Sequence, residues 1–305
     1  MTRAAPPSLA PGEVAGSIAA MEERVMSSPR EPPFRFEIVP ASAVDRCPDG
    51  IGRLWDRSLD GLVIKGFLSE PTLAVVLDRL AHNRPELRRR IFEDRAYGED
   101  PPYVISRGLI TAPADLVDYF ADAAHFRQGC RALFAGVEDF EDRLRHVLAT
   151  IGGGARIELP SGPEGQPYSP ATIRVLPPDG EITVHCGNDF LRRPECAHLR
   201  GLVDDESQLS FFVPLRLPAV GGDLELYAVS WDDTDGEQRI GAVPVSLVAA
   251  FSDRMKAPVG VGDLLIFDGG RIYHRVTPVG AAERRITIGG FLGYGLDHRV
   301  LHYWS

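Results

Sequence analysis

The sequence predicts an α+β protein built on a double-stranded β-helix, a cupin-like jelly roll, with helices packed outside it that come mainly from the N-terminal half. Three observations predict it. Apolar residues recur at helical spacing up to Ile151, and after Gly152, Gly153 and Gly154 the period falls to two. The later runs are short and punctuated by Pro, Gly and Asp, as in a double-sheet jelly roll. One of them, Glu181 to His185, delivers a histidine to its end and then breaks at Gly187, Asn188 and Asp189. A helical half followed by a strand-rich half is the α+β pattern.

The 305 residues, 44% hydrophobic and 25% charged, suit a globular chain with a large core. A net charge of -10 argues against a general binder of nucleic acid polymers or membrane surfaces. Residues 1–33 are rich in Pro, Ala and Ser and lack the apolar stretch of a signal peptide, so a disordered segment is expected there. Residues 34–305 then form a single domain. No run approaches the roughly 18 apolar residues of a membrane span. Cys47, Cys130, Cys186 and Cys196 form no CxxC pair, which predicts reduced thiols and a cytoplasmic protein.

In chain order, Phe34 to Val39 and Gly61 to Gly66 read as strands. Ser69-Glu-Pro-Thr then caps a helix whose Leu73, Val76, Leu77 and Leu80 share one face. The charged run Arg84 to Asp100 reads as a solvated helix or loop, and Tyr103 to Thr111 as a strand-like stretch. From Ala114 to Ile151 the spacing is helical, so 67–151 is the helix-rich part and 155–295 carries most jelly-roll strands. Those strands are Ala155 to Leu159, Thr172 to Leu176, Glu181 to His185, Gln208 to Leu217, Asp223 to Val229, Gly262 to Phe267 and Arg285 to Phe291.

His185 is the first metal-ligand candidate. A non-haem iron site ordinarily uses two histidines and one carboxylate, with a carboxylate two residues after the first histidine. Here that position is Gly187, which leaves room for an anion such as chloride. The partner candidate is His274, about ninety residues on, presented after the Gly269-Gly270 turn. Arg285 and Thr287 alternate on a later strand and share its inward face, while Arg284 points away. An inward arginine can hold a carboxylate through two parallel hydrogen bonds. A distorted loop that let Asp189 reach the metal would instead favour a hydroxylase. His198, His298 and His302 are read as spare histidines and Cys186 as packing.

Arg57-Ser-Leu-Asp-Gly61, Ser161-Gly-Pro-Glu-Gly-Gln166, Ser169-Pro-Ala-Thr-Ile-Arg174, His185-Cys-Gly-Asn-Asp-Phe190 and Gln208-Leu-Ser-Phe-Phe-Val-Pro214 carry a resemblance. Over roughly residues 34 to 295, the sequence resembles the iron/2-oxoglutarate halogenases that act on free-standing substrates, typified by the welwitindolinone and hapalindole alkaloid halogenases. The resemblance implies Fe(II) held by His185 and His274, 2-oxoglutarate as co-substrate with O2, and chloride at the position Gly187 leaves open. It implies Arg285 and Thr287 on the distal carboxylate of 2-oxoglutarate, with Arg174 in the anion-rich surroundings. Ser210 matches a position from which a hydroxyl orients the oxidant; the alternative is a strand serine bonded to a neighbour. No carrier protein is implied.

The alkaloid-acting relatives look apolar where this chain has Arg192 and Arg193. With Arg107 and the run Arg88 to Arg90, these predict a small anionic substrate. The resembled family includes enzymes that chlorinate the sugar of a deoxyadenine nucleotide, and the resemblance to that branch implies a substrate such as dAMP; the alternatives are an alkaloid halogenase or a hydroxylase of the same fold. Asn188 and Phe190 are expected beside that substrate. Tyr97, Tyr103 and Phe190 are available for base stacking.

Overall fold

The computed structural model describes residues 34–82, 87–91, 101–109, 116–234, 239–240, 243–280 and 283–305. Residues 1–33 and Tyr97, on which expectations were placed, lie outside this set. The protein is α+β, with two sheets facing each other. The larger runs, in spatial order, through Phe36–Pro40, Gly61–Lys65, Leu264–Phe267, Leu209–Arg216, Arg285–Tyr294, Thr172–Leu176, Tyr103–Ile105 and Arg89–Ile91, with Val300–Trp304 and Arg156–Glu158 attached to one side. The smaller is Arg254–Lys256, Leu224–Ser230, Ile272–Val276 and Ile182–His185.

From Thr172 onward, eight of these strands follow one another as large, small, large, small, small, large, small, large. Each crossing turns the chain over an apolar layer. Val63, Leu265 and Phe267 of the large sheet meet Leu224, Leu226, Ile272 and Val276 of the small one. The other face of the large sheet is covered by helices. Leu62, Ile64, Ile173, Val175, Val213, Ile286 and Ile288 pack there with Leu73, Val76, Phe126, Phe140, Leu144 and Leu148.

Those helices begin where their capping residues say they should. The Ser69 hydroxyl accepts from Thr72 N–H (3.4 Å) ahead of Glu70–Ala81, and the Asp139 carboxylate accepts from Asp142 N–H (3.0 Å) ahead of Phe140–Ile151. The helix layer sets strand register. On Arg285–Tyr294, Ile286 and Ile288 lie under the helices, which leaves Arg285 and Thr287 facing inward. A slip of one residue would exchange the two faces. It would forfeit about 1.5–3 kcal/mol for each isoleucine and push a guanidinium into the apolar layer.

Several elements differ from the sequence reading. Arg89–Ile91, expected as solvated helix or loop, is a strand, because it pairs antiparallel with Tyr103–Ile105 and extends the large sheet. Gly187–Leu191, expected as a turn, winds into a short helix. The helix Val245–Phe251 and the terminal strand Val300–Trp304 had no counterpart in the expectations. Cys186 packs with Tyr227, Val229, Trp231 and Tyr273, away from the neighbouring histidine, and all four cysteines are buried and unbridged. Among the described residues no helix is long and apolar enough to cross a membrane.

Candidate active site

His185 ends the strand Ile182–His185, and its register partner on Ile272–Val276 is His274. Antiparallel pairing therefore sets the two imidazoles side by side, with ring centroids 4.3 Å apart. His185 Nδ1 lies 2.7 Å from the Thr183 carbonyl oxygen and His274 Nδ1 lies 2.8 Å from that of Ile272. A carbonyl only accepts, so each Nδ1 carries the proton and each Nε2 keeps its lone pair for a metal. Burial lowers the pKa of both rings. His185 falls well below 6.5, with His274 adding to the effect, and His274 falls to about 4. Both are neutral near pH 7, the state in which histidine ligates.

A cavity of about 380 Å³ opens from this pair into the space between the sheets. Its polar wall includes Arg174, His185, Ser210, His274, Arg285 and Thr287. Much of the rest is apolar, notably Val104, Leu109, Phe190, Phe212, Phe267 and Phe291. Among the described residues no group of three or more His, Cys, Asp and Glu is arranged to hold a metal ion. Asp189, the carboxylate weighed as an alternative ligand, is not part of the cavity wall. The donor set is thus two imidazoles with space beside them, which fits a first-row metal completed by ligands from solution.

Gly187 borders that space and is tightly packed. A Cβ there would come within 2.7 Å of Gln208 Nε2 and 3.1 Å of the Gly269 oxygen. Gly187 N–H donates to Gly269 O (2.7 Å), Asn188 N–H donates to Gly270 O (3.0 Å), and the Gln208 amide donates to Gly187 O. Gly270 is equally constrained, since its Cβ would lie 2.1 Å from the Gln208 carbonyl oxygen. Gln208 was not singled out from sequence. Its inward position on the strand-to-be was legible; its amide bond to Gly187 was not.

Arg285 lies at depth in the cavity, donates from Nε to Gly222 O (2.8 Å), and stacks over Phe212 (5.4 Å to the ring centroid). Burial first, and then the Arg174 charge, draws its pKa down to about 9, against the opposing pull of the Asp223 carboxylate. Thr287 shares its face and pairs with Arg174 across the sheet. Arg284 does not line the cavity. Ser210 does, and its hydroxyl makes no hydrogen bond with the described residues.

Other expected site residues are directed elsewhere. Arg107 donates from Nε to Asp122 (3.1 Å) and lies 3.7 Å from Asp118, and Arg90 Nε also donates to Asp122 (2.8 Å). Arg192 sits over the Trp231 ring at 4.9 Å and Arg193 over Phe190 at 5.0 Å. None of these arginines lines the cavity. Asn188 is buried behind the wall, its Nδ2 3.4 Å from Glu206 O, whereas Phe190 lines the cavity 5.4 Å from the His185 ring. Tyr103 lies under Arg89. His198 contacts the Tyr168 hydroxyl and His298 contacts Asp204, so neither approaches the histidine pair.

The fold is similar to that of an N-substituted L-amino acid dioxygenase from Burkholderia ambifaria AMMD. The TM-score is 0.51 at 14% identity, over 87% of this chain and 91% of that one. The same enzyme in complex with alpha-KG gives 0.50 at 15% identity, over 84% and 90%. No curated protein sequence matches the chain. Together with the family match that follows, fold and site define a non-haem iron/2-oxoglutarate oxidoreductase. The chain belongs to the carrier-protein-independent halogenase family WelO5, whose model matches residues 33–305. Its substrate is accordingly a free small molecule that needs no carrier protein.

Proposed function

We propose that this protein is an iron(II)/2-oxoglutarate-dependent halogenase that chlorinates an unactivated sp3 carbon of a free small molecule. The observation that carries the reading is the His185–His274 pair with Gly187, rather than a carboxylate, beside it. The alternation of strands between the sheets supports a double-stranded β-helix core, in which such a pair sits at one end of the barrel. His185 and His274 would hold Fe(II) through their Nε2 atoms, and chloride would serve as the ligand for which Gly187 supplies no carboxylate. Arg285 and Thr287 hold the distal carboxylate of 2-oxoglutarate. Iron bound there supplies O2 activation coupled to decarboxylation of that co-substrate.

The protein's own residues then govern the outcome. Phe190, Phe267 and Phe291 exclude water from the substrate side, and the free Ser210 hydroxyl is available to orient the reacting group. For the substrate we carry an anionic metabolite, with dAMP as the specific candidate. It is supported only by Arg193, which stacks on the cavity-lining Phe190, since Arg107 is held by Asp122 and Arg192 lies over Trp231. The apolar cavity wall favours a second reading, an apolar alkaloid-like substrate.

The test incubates Fe(II)-loaded protein with 2-oxoglutarate, O2, chloride and a panel containing dAMP, deoxyadenosine and an apolar indole, and follows products by mass spectrometry. The expected result is a product with the chlorine isotope pattern whose yield rises with chloride while succinate accumulates. Hydroxylated product alone at every chloride concentration would make the protein a hydroxylase of the same fold.

A further inference from the structure

Two strands meet end to end on the same side of Arg285–Tyr294. Thr172–Leu176 pairs with its first half, where Thr172 stands opposite Gly289, and Val300–Trp304 pairs with its second half, where Trp304 stands opposite Phe291. Gly290 faces the junction, and a Cβ there would lie 2.2 Å from Trp304 O, so only a glycine lets the strands close up. Ser305 follows Trp304 into the gap and is pinned there. Its N–H donates to Ser169 O (2.9 Å), its carbonyl oxygen accepts from the buried Tyr119 hydroxyl (2.6 Å), and that hydroxyl accepts from Ser169 N–H (3.1 Å). The Ser305 hydroxyl is thereby set against that of Thr172, to which it donates (3.1 Å), and both residues line the cavity.

The pair takes no part in the histidine site or in the Arg285–Thr287 clamp. Arg285 stands opposite Leu176, four residues along the strand from Thr172, a distance of about 13 Å. The carbon chain of a five-carbon dicarboxylate, four bonds of about 1.5 Å each, spans less than half of that, so a dicarboxylate clamped at Arg285 leaves the pair to another ligand. Thr172 instead shares a rung with Gly289 and Phe212. The next rung holds Phe291, Ser210 and Phe267, whose ring lies 5.0 Å from that of His274. Around the pair, Leu109 and Phe291 of the cavity wall pack with Tyr119 and Trp304.

Two hydroxyls bonded to each other use one of their two hydrogens. With Ser305 donating, the Thr172 hydrogen has no acceptor among the described residues. Neither hydroxyl carries a charge, and the apolar wall beside them offers no acceptor, so the pair fits a neutral oxygen better than an anion. We infer that Thr172, oriented by Ser305, is a substrate-binding residue that donates to a neutral carbonyl or hydroxyl oxygen of the free small-molecule substrate and turns a chosen face of that molecule toward the histidine pair. Ser305 is the positioning residue. The inference rests on the reading of the cavity as the substrate chamber of a halogenase.

Two probes isolate the contact: 3-acetylindole and 3-isopropenylindole, which differ in a carbonyl oxygen against a CH2 group. Affinities are measured by calorimetry without oxygen on protein loaded with Fe(II) and 2-oxoglutarate, with thermal unfolding as a check on folding. The parent is expected to prefer 3-acetylindole about three- to tenfold. Thr172→Val keeps the shape without the hydroxyl and is expected to bring the ratio to about one, with 3-isopropenylindole within about twofold of the parent. Thr172→Ser is expected to keep the preference and Ser305→Ala to lower it partway. Equal affinities in the parent, or a preference that survives Thr172→Val, would overturn the inference; Thr172→Ala serves the same test should Thr172→Val unfold. Chlorination is followed separately after adding O2 and chloride. A protein that chlorinates a substrate of the panel but shows no preference between the probes refutes the contact alone. One that shows the preference and releases neither chlorinated product nor succinate keeps the contact and refutes the halogenase reading.

Discussion

The arginines that line the cavity and those outside it, here called the rim set, are the same residue type in opposite situations. Arg174 and Arg285 rise from strands whose alternate residues are buried under helices, and they face a cavity with no ion pair to a carboxylate among the described residues, although the Asp223 charge acts on Arg285. Arg107 meets Asp122 and Asp118, while Arg192 and Arg193 lie on aromatic rings. The interior pair is therefore poised for an anionic ligand, whereas the rim set already has protein partners to give up. A charge-assisted hydrogen bond contributes on the order of 1.5–3 kcal/mol, and an exposed cation–π stack about 0.5–1 kcal/mol. Interior substitutions should accordingly cost much more function than rim substitutions.

The largest effect is expected at the metal-binding end of the interior. His185→Ala or His274→Ala removes one of two protein ligands, with no carboxylate to compensate, and should abolish turnover. Iron content after desalting and succinate release measure this together. Near-normal values for both variants would remove the centre from which the interior takes its meaning.

Next in size is Gly187→Asp. It offers the metal a carboxylate and should suppress chlorination by about tenfold or more, with hydroxylated product appearing. The structure adds a complication that sequence did not show: any Cβ here crowds Gln208 Nε2 at 2.7 Å. Gly187→Ala brings the same crowding without the charge and is the proper control. If the two variants chlorinate equally well, chloride is not bound where Gly187 leaves space.

A smaller but sharper test compares neighbours on one strand. Arg285→Ala should raise the 2-oxoglutarate requirement about ten- to hundredfold, and Arg284→Ala by less than about twofold. Titrating 2-oxoglutarate against succinate release gives the ranking. Reversal would mean that the strand is one residue out of register, although Ile286 and Ile288 under the helices oppose that.

The interior was legible in sequence because strands alternate. Parity oriented Arg285 and Thr287 toward the cavity, the strand ending at His185 and the Gly269-Gly270 turn pointed to the histidine pair, and the family resemblance supplied Arg174 and Ser210. Helix Glu70–Ala81 was legible from its cap and apolar spacing, and Phe140–Ile151 from apolar spacing alone. Periodicity says nothing, however, about which distant carboxylate or ring a loop arginine will meet. Asp122, the partner of Arg107, lies on the helix Val117–Leu133, and Trp231, under Arg192, follows Leu224–Ser230, two places along the smaller sheet from Ile182–His185. Arg89–Ile91 was misjudged for the same reason: its charges suggested solvent, while edge pairing with Tyr103–Ile105 made it a strand.

The smallest effect is expected at the rim, and it decides whether the rim takes part in substrate recognition. Replacing both Arg192 and Arg193 by Leu breaks two stacks, at a cost of about 1–2 kcal/mol if both are fully formed. That corresponds to a fall of several degrees in Tm at this size, which thermal unfolding would register. The Fe(II) and 2-oxoglutarate sites lie inside and should be unaffected, so substrate-independent succinate release should stay within about twofold of the parent. If a substrate phosphate draws either guanidinium off its ring, the net gain is its charge-assisted bond less the stack, roughly 1–2 kcal/mol. The double variant should then raise the apparent KM for dAMP about five- to thirtyfold and leave that for deoxyadenosine unchanged. Equal shifts for nucleotide and nucleoside would show that the rim arginines recognise no phosphate. Chlorination of an apolar indole in preference to both would transfer substrate recognition to the apolar wall formed by Leu109, Phe190 and Phe291.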